Sequence, residues 1–155
     1  MATWAEFTAE VPEFAAFVEA RLRAHKFLVM ATVRADGAPR ICGTEILFRD
    51  GDLWLGGMPG AHRFADLRRN PRVAVHGTPD DEASWKGDAK VGGTAVEVTD
   101  PAEREKFREP GQPPGDFELF RIDVTEASSV RLEDPPVALI IEFWRPGRPL
   151  KRVDR

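Results

Sequence analysis

The sequence predicts a small antiparallel β-barrel with helical additions, a mainly β arrangement of the α+β class. Six or seven runs of strand character follow one another, with turn signals at close spacing between them. Asp36-Gly37 and Asp50-Gly51 each sit between two such runs, where a tight hairpin needs residues that tolerate positive φ. The helical patterns between the runs are short, so the long crossover helices of a doubly wound sheet are missing.

Val11 to His25 reads as the first helix. Pro12 suits its first turn, and Val11, Phe14, Val18 and Leu22 recur along one apolar face. Phe27 to Val33 is nearly unbroken in its apolar character and is expected to be a strand covered on both sides. Pro39 to Phe48 and Leu53 to Gly57 are the next two strands, each entered through one of the Asp-Gly turns. A short helix over Ala61 to Arg69 stops at Asn70-Pro71. Arg72 to His76 is the fourth strand, and Thr78 to Glu82 an exposed acidic loop. Asp88 to Thr99 is a long strand in which Gly92-Gly93 marks a bulge or a close backbone approach. Asp100-Pro101-Ala102-Glu103 has the pattern of a capping box and opens a helix to about Arg108. Glu109 to Gly115 holds prolines and glycines and reads as a loop; Phe120 to Val124 and Val137 to Trp144 are the last strands. No linker divides residues 1–155, which read as one domain.

Composition narrows the function. A net charge of -4 and a pI of about 5.5 leave no global basic field for nucleic acid. No apolar run approaches the roughly 18 residues of a membrane span, and the opening residues lack the basic-then-apolar order of a signal peptide, so a cytoplasmic protein is expected. Cys42 is the only cysteine, which excludes an internal disulfide and a cysteine metal cluster. The three histidines, His25, His62 and His76, are far apart, which argues against a built-in metal site. There is no Ser-His-Asp order and no close pair of catalytic carboxylates, so an organic cofactor would have to carry any reaction.

The strongest functional signal follows the third strand. Met58-Pro59-Gly60-Ala61-His62-Arg63 is a glycine-softened helix start with two basic residues. Unpaired N–H groups and the helix dipole favour an anion at such a place, and a phosphate is the expected ligand. The competing reading of His62, Arg63, Arg68 and Arg69 is a solvated helix face. First-turn position favours the anion site for Arg63, whereas Arg68 and Arg69 suit the helix C-terminus. Met58 itself is expected to pack, with its backbone the better contact.

Three segments together resemble a known family. They are Ala31 to Arg40, Asp50 to Trp54 and Asp66 to Val75, joined by Gly87 to Val91, Ala95 to Asp100 and Phe143 to Arg148. Their order and spacing resemble the pyridoxamine 5′-phosphate oxidase-like, FMN-binding split-barrel family, most of all its actinobacterial branch of flavin and deazaflavin enzymes. The resemblance implies a six-stranded split barrel, a homodimer, and a flavin in a groove at the dimer interface. It implies a phosphate held by the loop and helix after the third strand, where a small residue, a basic residue and lysine are common. Here those positions are Ala61, His62 and Arg63; Ala61 lacks a hydroxyl, and Arg63 keeps the cation with bidentate geometry. The second strand offers Glu45 in place of the cations of true pyridoxamine phosphate oxidases, which speaks against that particular activity.

The cofactor site expected on this basis comprises Thr44, Glu45, Met58, Pro59, Gly60, Ala61, His62, Arg63 and Lys90, with Trp144 and Arg145 reaching it from the other subunit. One of Thr44 and Glu45 should face inward, and a buried Glu45 would pair with an arginine or a flavin ring N–H. Lys90 points to water or to the groove; Trp144 belongs to the core or to the ligand. The expected cofactor is FMN, with coenzyme F-420 as the alternative, whose acidic tail would need cations such as Arg40, Lys86 or Arg148. The function implied is a flavin- or deazaflavin-dependent oxidoreductase with a small-molecule substrate. The alternative is a non-catalytic binder of flavin, haem or another planar ligand.

Overall fold

The computed structural model describes residues 1–112, 114–133 and 137–155. The chain opens with α1 (Trp4–Glu10) and α2 (Pro12–Arg23), followed by β1 (Leu28–Val33), β2 (Pro39–Thr44), β3 (Ile46–Arg49) and β4 (Asp52–Gly57). Then come α3 (His62–Arg69), β5 (Arg72–His76), a 3-10 turn at Glu82–Ser84, β6 (Asp88–Glu97) and α4 (Pro101–Glu105). β7 (Glu118–Leu132), β8 (Leu139–Trp144) and β9 (Lys151–Asp154) complete it. Among the described residues these make a nine-stranded antiparallel sheet, three strands more than expected, in the order β2-β1-β5-β6-β7-β4-β3, with β8 on β7 and β9 on β8.

The sheet curls but does not close. β2 and β3 are consecutive in sequence yet lie at opposite ends of the strand order. The expected single strand over Pro39 to Phe48 is therefore two strands broken at Glu45. The first half pairs with β1 and the second with β4, so the chain itself crosses the open seam. β7 is far longer than the expected Phe120 to Val124. It pairs with β6 along most of its length, while its other edge takes β4 over Glu118–Ile122 and β8 over Ala127–Leu132. That division of one edge between two partners is what splits the barrel.

Local chemistry explains the turns. Asp50 and Gly51 both have positive φ, 54° and 79°, which matches the right-handed twist of the β3–β4 hairpin. At Gly92/Gly93 the β6–β7 register shifts, and a Cβ on Gly93 would lie 2.5 Å from Ile122 Cγ2. Bulge and close approach thus coincide. α1 was not anticipated, although Thr3 and Glu6 form its capping box: Thr3 Oγ1 accepts from the Glu6 N–H and Glu6 accepts from the Thr3 N–H. The helix puts Trp4 and Phe7 into the core, where Phe7 meets Trp144 at 4.5 Å between ring centroids.

One core holds the inner strand faces and both N-terminal helices, with Phe14, Val18, Leu22, Leu53, Leu55 and Ile122 sealed inside it. Each such side chain contributes roughly 1.5–3 kcal/mol on burial. The outer face of β1 stays open, contrary to the expected double coverage: Leu28, Met30 and Thr32 are buried, but Val29 is 38% exposed. Helices cover only one side of that strand, so its run alternates in burial although not in residue type. α3 anchors by Phe64, which stacks on Phe120 at 5.3 Å, and by Leu67. No helix among the described residues is long and apolar enough to cross a membrane. The expected loop over Glu109 to Gly115 includes Pro113, which lies outside the described residues.

Candidate cofactor cleft

The open seam forms a cleft of about 460 Å³ between the end of β2, the β3–β4 hairpin and the segment after α4. Strand alternation makes its floor. Leu53 and Leu55 point into the core, which turns Trp54 and Gly56 toward the cleft. Gly56 lies opposite Leu119, and a Cβ there would sit 3.4 Å from the Glu118 carbonyl. At Gly57 a Cβ would come within 2.5 Å of Arg63 Nη2 and 3.0 Å of the Phe64 ring, so the missing side chain makes room for a guanidinium.

Arg63 extends into that space from the first turn of α3. Its Nη1 donates to the Gly43 carbonyl at 3.2 Å, and its guanidinium carbon lies 4.8 Å above the Phe64 ring. Its Nε is buried without a hydrogen-bond partner, and no carboxylate among the described residues pairs with it. The cleft thus sets a guanidinium with an orphaned buried N–H beside three glycines (Gly43, Gly56, Gly57), a combination of charge and bare backbone suited to an anion with a flat body.

Four of the expected site residues line this cleft: Thr44, Glu45, Met58 and Arg63. Thr44 is the inward member of its pair and donates to the Glu45 carbonyl at 3.1 Å. Glu45 is at the exposed rim, 3.7 Å from Lys26 Nζ. Met58 does not pack; it is 82% exposed. Pro59 is exposed beside it. Gly60 has φ 79° and donates its N–H to Glu118 Oε1 at 2.8 Å, so one amide expected for phosphate already serves a protein carboxylate. Glu118 is buried, and its other oxygen accepts from Arg68 at 2.6 Å. Ala61 caps α3 with no side-chain bond.

The remaining expectations fall elsewhere. His62 is on the opposite flank of α3, in a second hollow of about 290 Å³ with Arg34, Arg40 and Arg69. Lys90 is exposed on the outer face of β6, paired in register with His76 and Ser128. Trp144 is fully buried against Phe7, which removes its ring from any ligand outside the core. Arg145 is bound to Glu126 at 3.0 Å and lies over Phe143. The sequence reading missed Phe27, Trp54, Phe107 and Phe117 as cleft residues, and Glu118 as the partner of Gly60. Gly56-Gly57 at a strand end was a visible signal; the phenylalanines had none.

The second hollow is an internal clamp. Asp66, buried on α3, accepts from Arg40 Nε at 2.6 Å, Thr32 Oγ1 at 2.8 Å and Arg69 Nη2 at 2.8 Å. The Arg40 hydrogen bond, helped by Arg69 and Thr32, holds this carboxyl well below the usual range against the opposing effect of burial. Arg40, proposed above for an acidic tail, is thus engaged within the fold.

Comparison with known proteins places this geometry. A putative pyridoxamine 5′-phosphate oxidase from Listeria innocua is similar over 72% of this chain and 94% of its own, at 21% identity and a TM-score of 0.58. An F-420 reductase is similar over 70% and 94%, at 23% identity and a TM-score of 0.55. A pyridoxamine 5′-phosphate oxidase-related, FMN-binding protein from Nostoc punctiforme is similar over 92% and 95%, at 12% identity and a TM-score of 0.63. At these identities the likeness shows the fold. No curated protein matches the chain in sequence. The family model described as pyridoxamine 5′-phosphate oxidase matches residues 13–131, so the chain belongs to the pyridoxamine 5′-phosphate oxidase-like family of split barrels.

Proposed function

We propose that the protein is a flavin- or deazaflavin-dependent oxidoreductase of small molecules, with the phosphorylated coenzyme in the seam cleft. The observation that carries this reading is Arg63, a guanidinium with no carboxylate partner among the described residues, set over a glycine floor. The family binds flavins, and its solved members include an FMN-binding protein and an F-420 reductase. Bound there, the coenzyme supplies hydride or electron transfer. The chain's residues do the rest. Arg63 grips the phosphate, the bare backbone at Gly43 and Gly56 admits a flat ring, and Trp54 walls it. FMN is the first candidate and coenzyme F-420 the alternative.

We also propose a homodimer. The outer sheet face beside the cleft carries the exposed Val29, Ile41 and Ala74 with the half-buried Ala31 and Gly92, all small or apolar. Gly43 belongs to both this face and the cleft, so a second copy on the face would share the groove. Lys90 and Arg145 would then meet the partner. Free Cys42 suits a reducing compartment, in keeping with a cytoplasmic protein.

Titration of the purified protein with FMN and with coenzyme F-420, followed by absorbance, tests the assignment. Saturable binding of one, weakened in Arg63→Ala, supports it; equal binding by the variant overturns it. Gel filtration at micromolar concentration should give a dimer, and a monomer would remove the shared groove. The second reading, a non-catalytic binder, draws on the Gly60–Glu118 bond, which takes an amide donor from the anion site. A bound coenzyme that no acceptor reoxidises would select it.

A further inference from the structure

We infer that the segment after α4 is the specificity wall of the cleft, and that it selects flat apolar substrates bearing a cationic group. This rests on the coenzyme reading above. Phe107 and Phe117 turn into the cleft from this segment, and both are held in place. Phe107 meets Trp54 at 4.5 Å and lies under the Arg49 guanidinium at 4.6 Å, while Arg49 Nη1 ties the adjacent Lys106 carbonyl at 2.7 Å. Phe117 lies under Arg108 at 5.3 Å, and its carbonyl accepts from Arg104 at 3.1 Å. Rings held in this way line the cleft with a fixed aromatic surface, which favours a planar partner by stacking.

Charge supplies the second half. Glu45, Arg63 and Glu109 are the charged residues lining the cleft. With Arg63 on a phosphate, the two carboxylates remain to face a substrate. Glu109 has no cationic partner among the described residues, and its backbone N–H is closed by Gln112 Oε1 at 3.1 Å. Glu45 has only the exposed Lys26, at 3.7 Å. Trp54 and Gly57 are three strand residues apart, roughly 10 Å. The glycine floor between the guanidinium and the aromatic wall would take the coenzyme, leaving the acidic rim to the substrate.

Equilibrium dialysis of the full chain tests this, with and without saturating FMN, against two tricyclic probes: proflavine, a planar cation, and acridine-9-carboxylate, a planar anion. Proflavine should bind about tenfold more tightly, and Glu109→Gln should cut that preference about fivefold. Phe107→Ala should weaken both probes alike, with Phe107→Leu and a thermal melt guarding against misfolding. With FMN bound, equal affinity for the two probes, or preference for the anion, overturns the inference; where FMN does not bind, the same result overturns the inference together with the coenzyme reading. Cation preference without FMN uptake supports the wall and overturns the coenzyme reading.

Discussion

The two flanks of α3 use their arginines in opposite ways. On one flank Arg40 and Arg69 converge on buried Asp66, and both guanidiniums are held by that one carboxylate. On the other flank Arg63, one turn earlier, has a carbonyl, an aromatic face and, among the described residues, no carboxylate. With the proposed function, a basic helix is part brace and part receptor, and charge count along it does not separate the two. What separates them is whether an acid comes from the protein or must come from outside.

The largest expected effect tests the brace. Asp66→Asn should destabilise the fold by about 3 kcal/mol, the low end for breaking a buried ion pair, because Arg40 and Arg69 stay partly in water. The pH dependence has a definite sign. The folded carboxyl titrates below its ordinary value, so its contribution is complete above about pH 4 and is lost as pH falls further. Urea midpoints at pH 7 and pH 3 should fall more for the wild type than for the variant; parallel falls would deny Asp66 this role.

The receptor flank comes next. Arg63→Ala should raise the coenzyme dissociation constant about 30-fold, as for loss of a charge-assisted contact worth about 2 kcal/mol, with little change in melting temperature. Arg69→Ala should do the reverse: lower the melting temperature and leave binding within about twofold. A double failure, with both variants losing binding equally, would erase the distinction between the flanks.

Much of this was legible in residues whose meaning is local. Asp36-Gly37 and Asp50-Gly51 announce hairpins because positive φ is a property of the residues themselves. Pro71 ends α3, and Arg63 was visible as an anion candidate from its place in the first turn. The same local grammar was present but unused at Thr3-Trp4-Ala5-Glu6, which caps α1. What stayed hidden depends on distant partners. Nothing in Ile41 to Phe48 says that its halves join different strands. Thr125 to Ser129 is polar enough to hide the long middle of β7, whose backbone is held by β6 and β8 rather than by a buried run. Glu118 reaches Gly60 across 58 positions, and Phe107 reaches Trp54 with α3, β5, β6 and α4 between them in the chain, so neither contact leaves a sequence pattern.

A smaller effect sharpens the receptor side without touching charge. Gly57→Ala puts a methyl group 2.5 Å from Arg63 Nη2 and 3.0 Å from Phe64 ring atoms. The guanidinium can swing aside, but the buried ring cannot. We expect a stability loss of about 1 kcal/mol and coenzyme binding about fivefold weaker, as Arg63 leaves its seat. Unchanged binding by a folded variant would mean that the guanidinium grips its anion from another position.

The smallest expected effect is the sharpest test of the contrast. His62 and Arg63 are adjacent in sequence, and the family pattern would assign both to the phosphate. In the fold one helical step of about 100° separates them, and His62 opens onto the hollow that Asp66 closes, not onto the cleft. His62→Ala should therefore leave the coenzyme dissociation constant within about twofold and the melting temperature nearly unchanged, since its side chain is exposed and no carboxylate among the described residues holds it. A tenfold loss of binding would mean that the coenzyme straddles the start of α3 and touches both flanks, and the division between brace and receptor would have to be redrawn around the helix end itself.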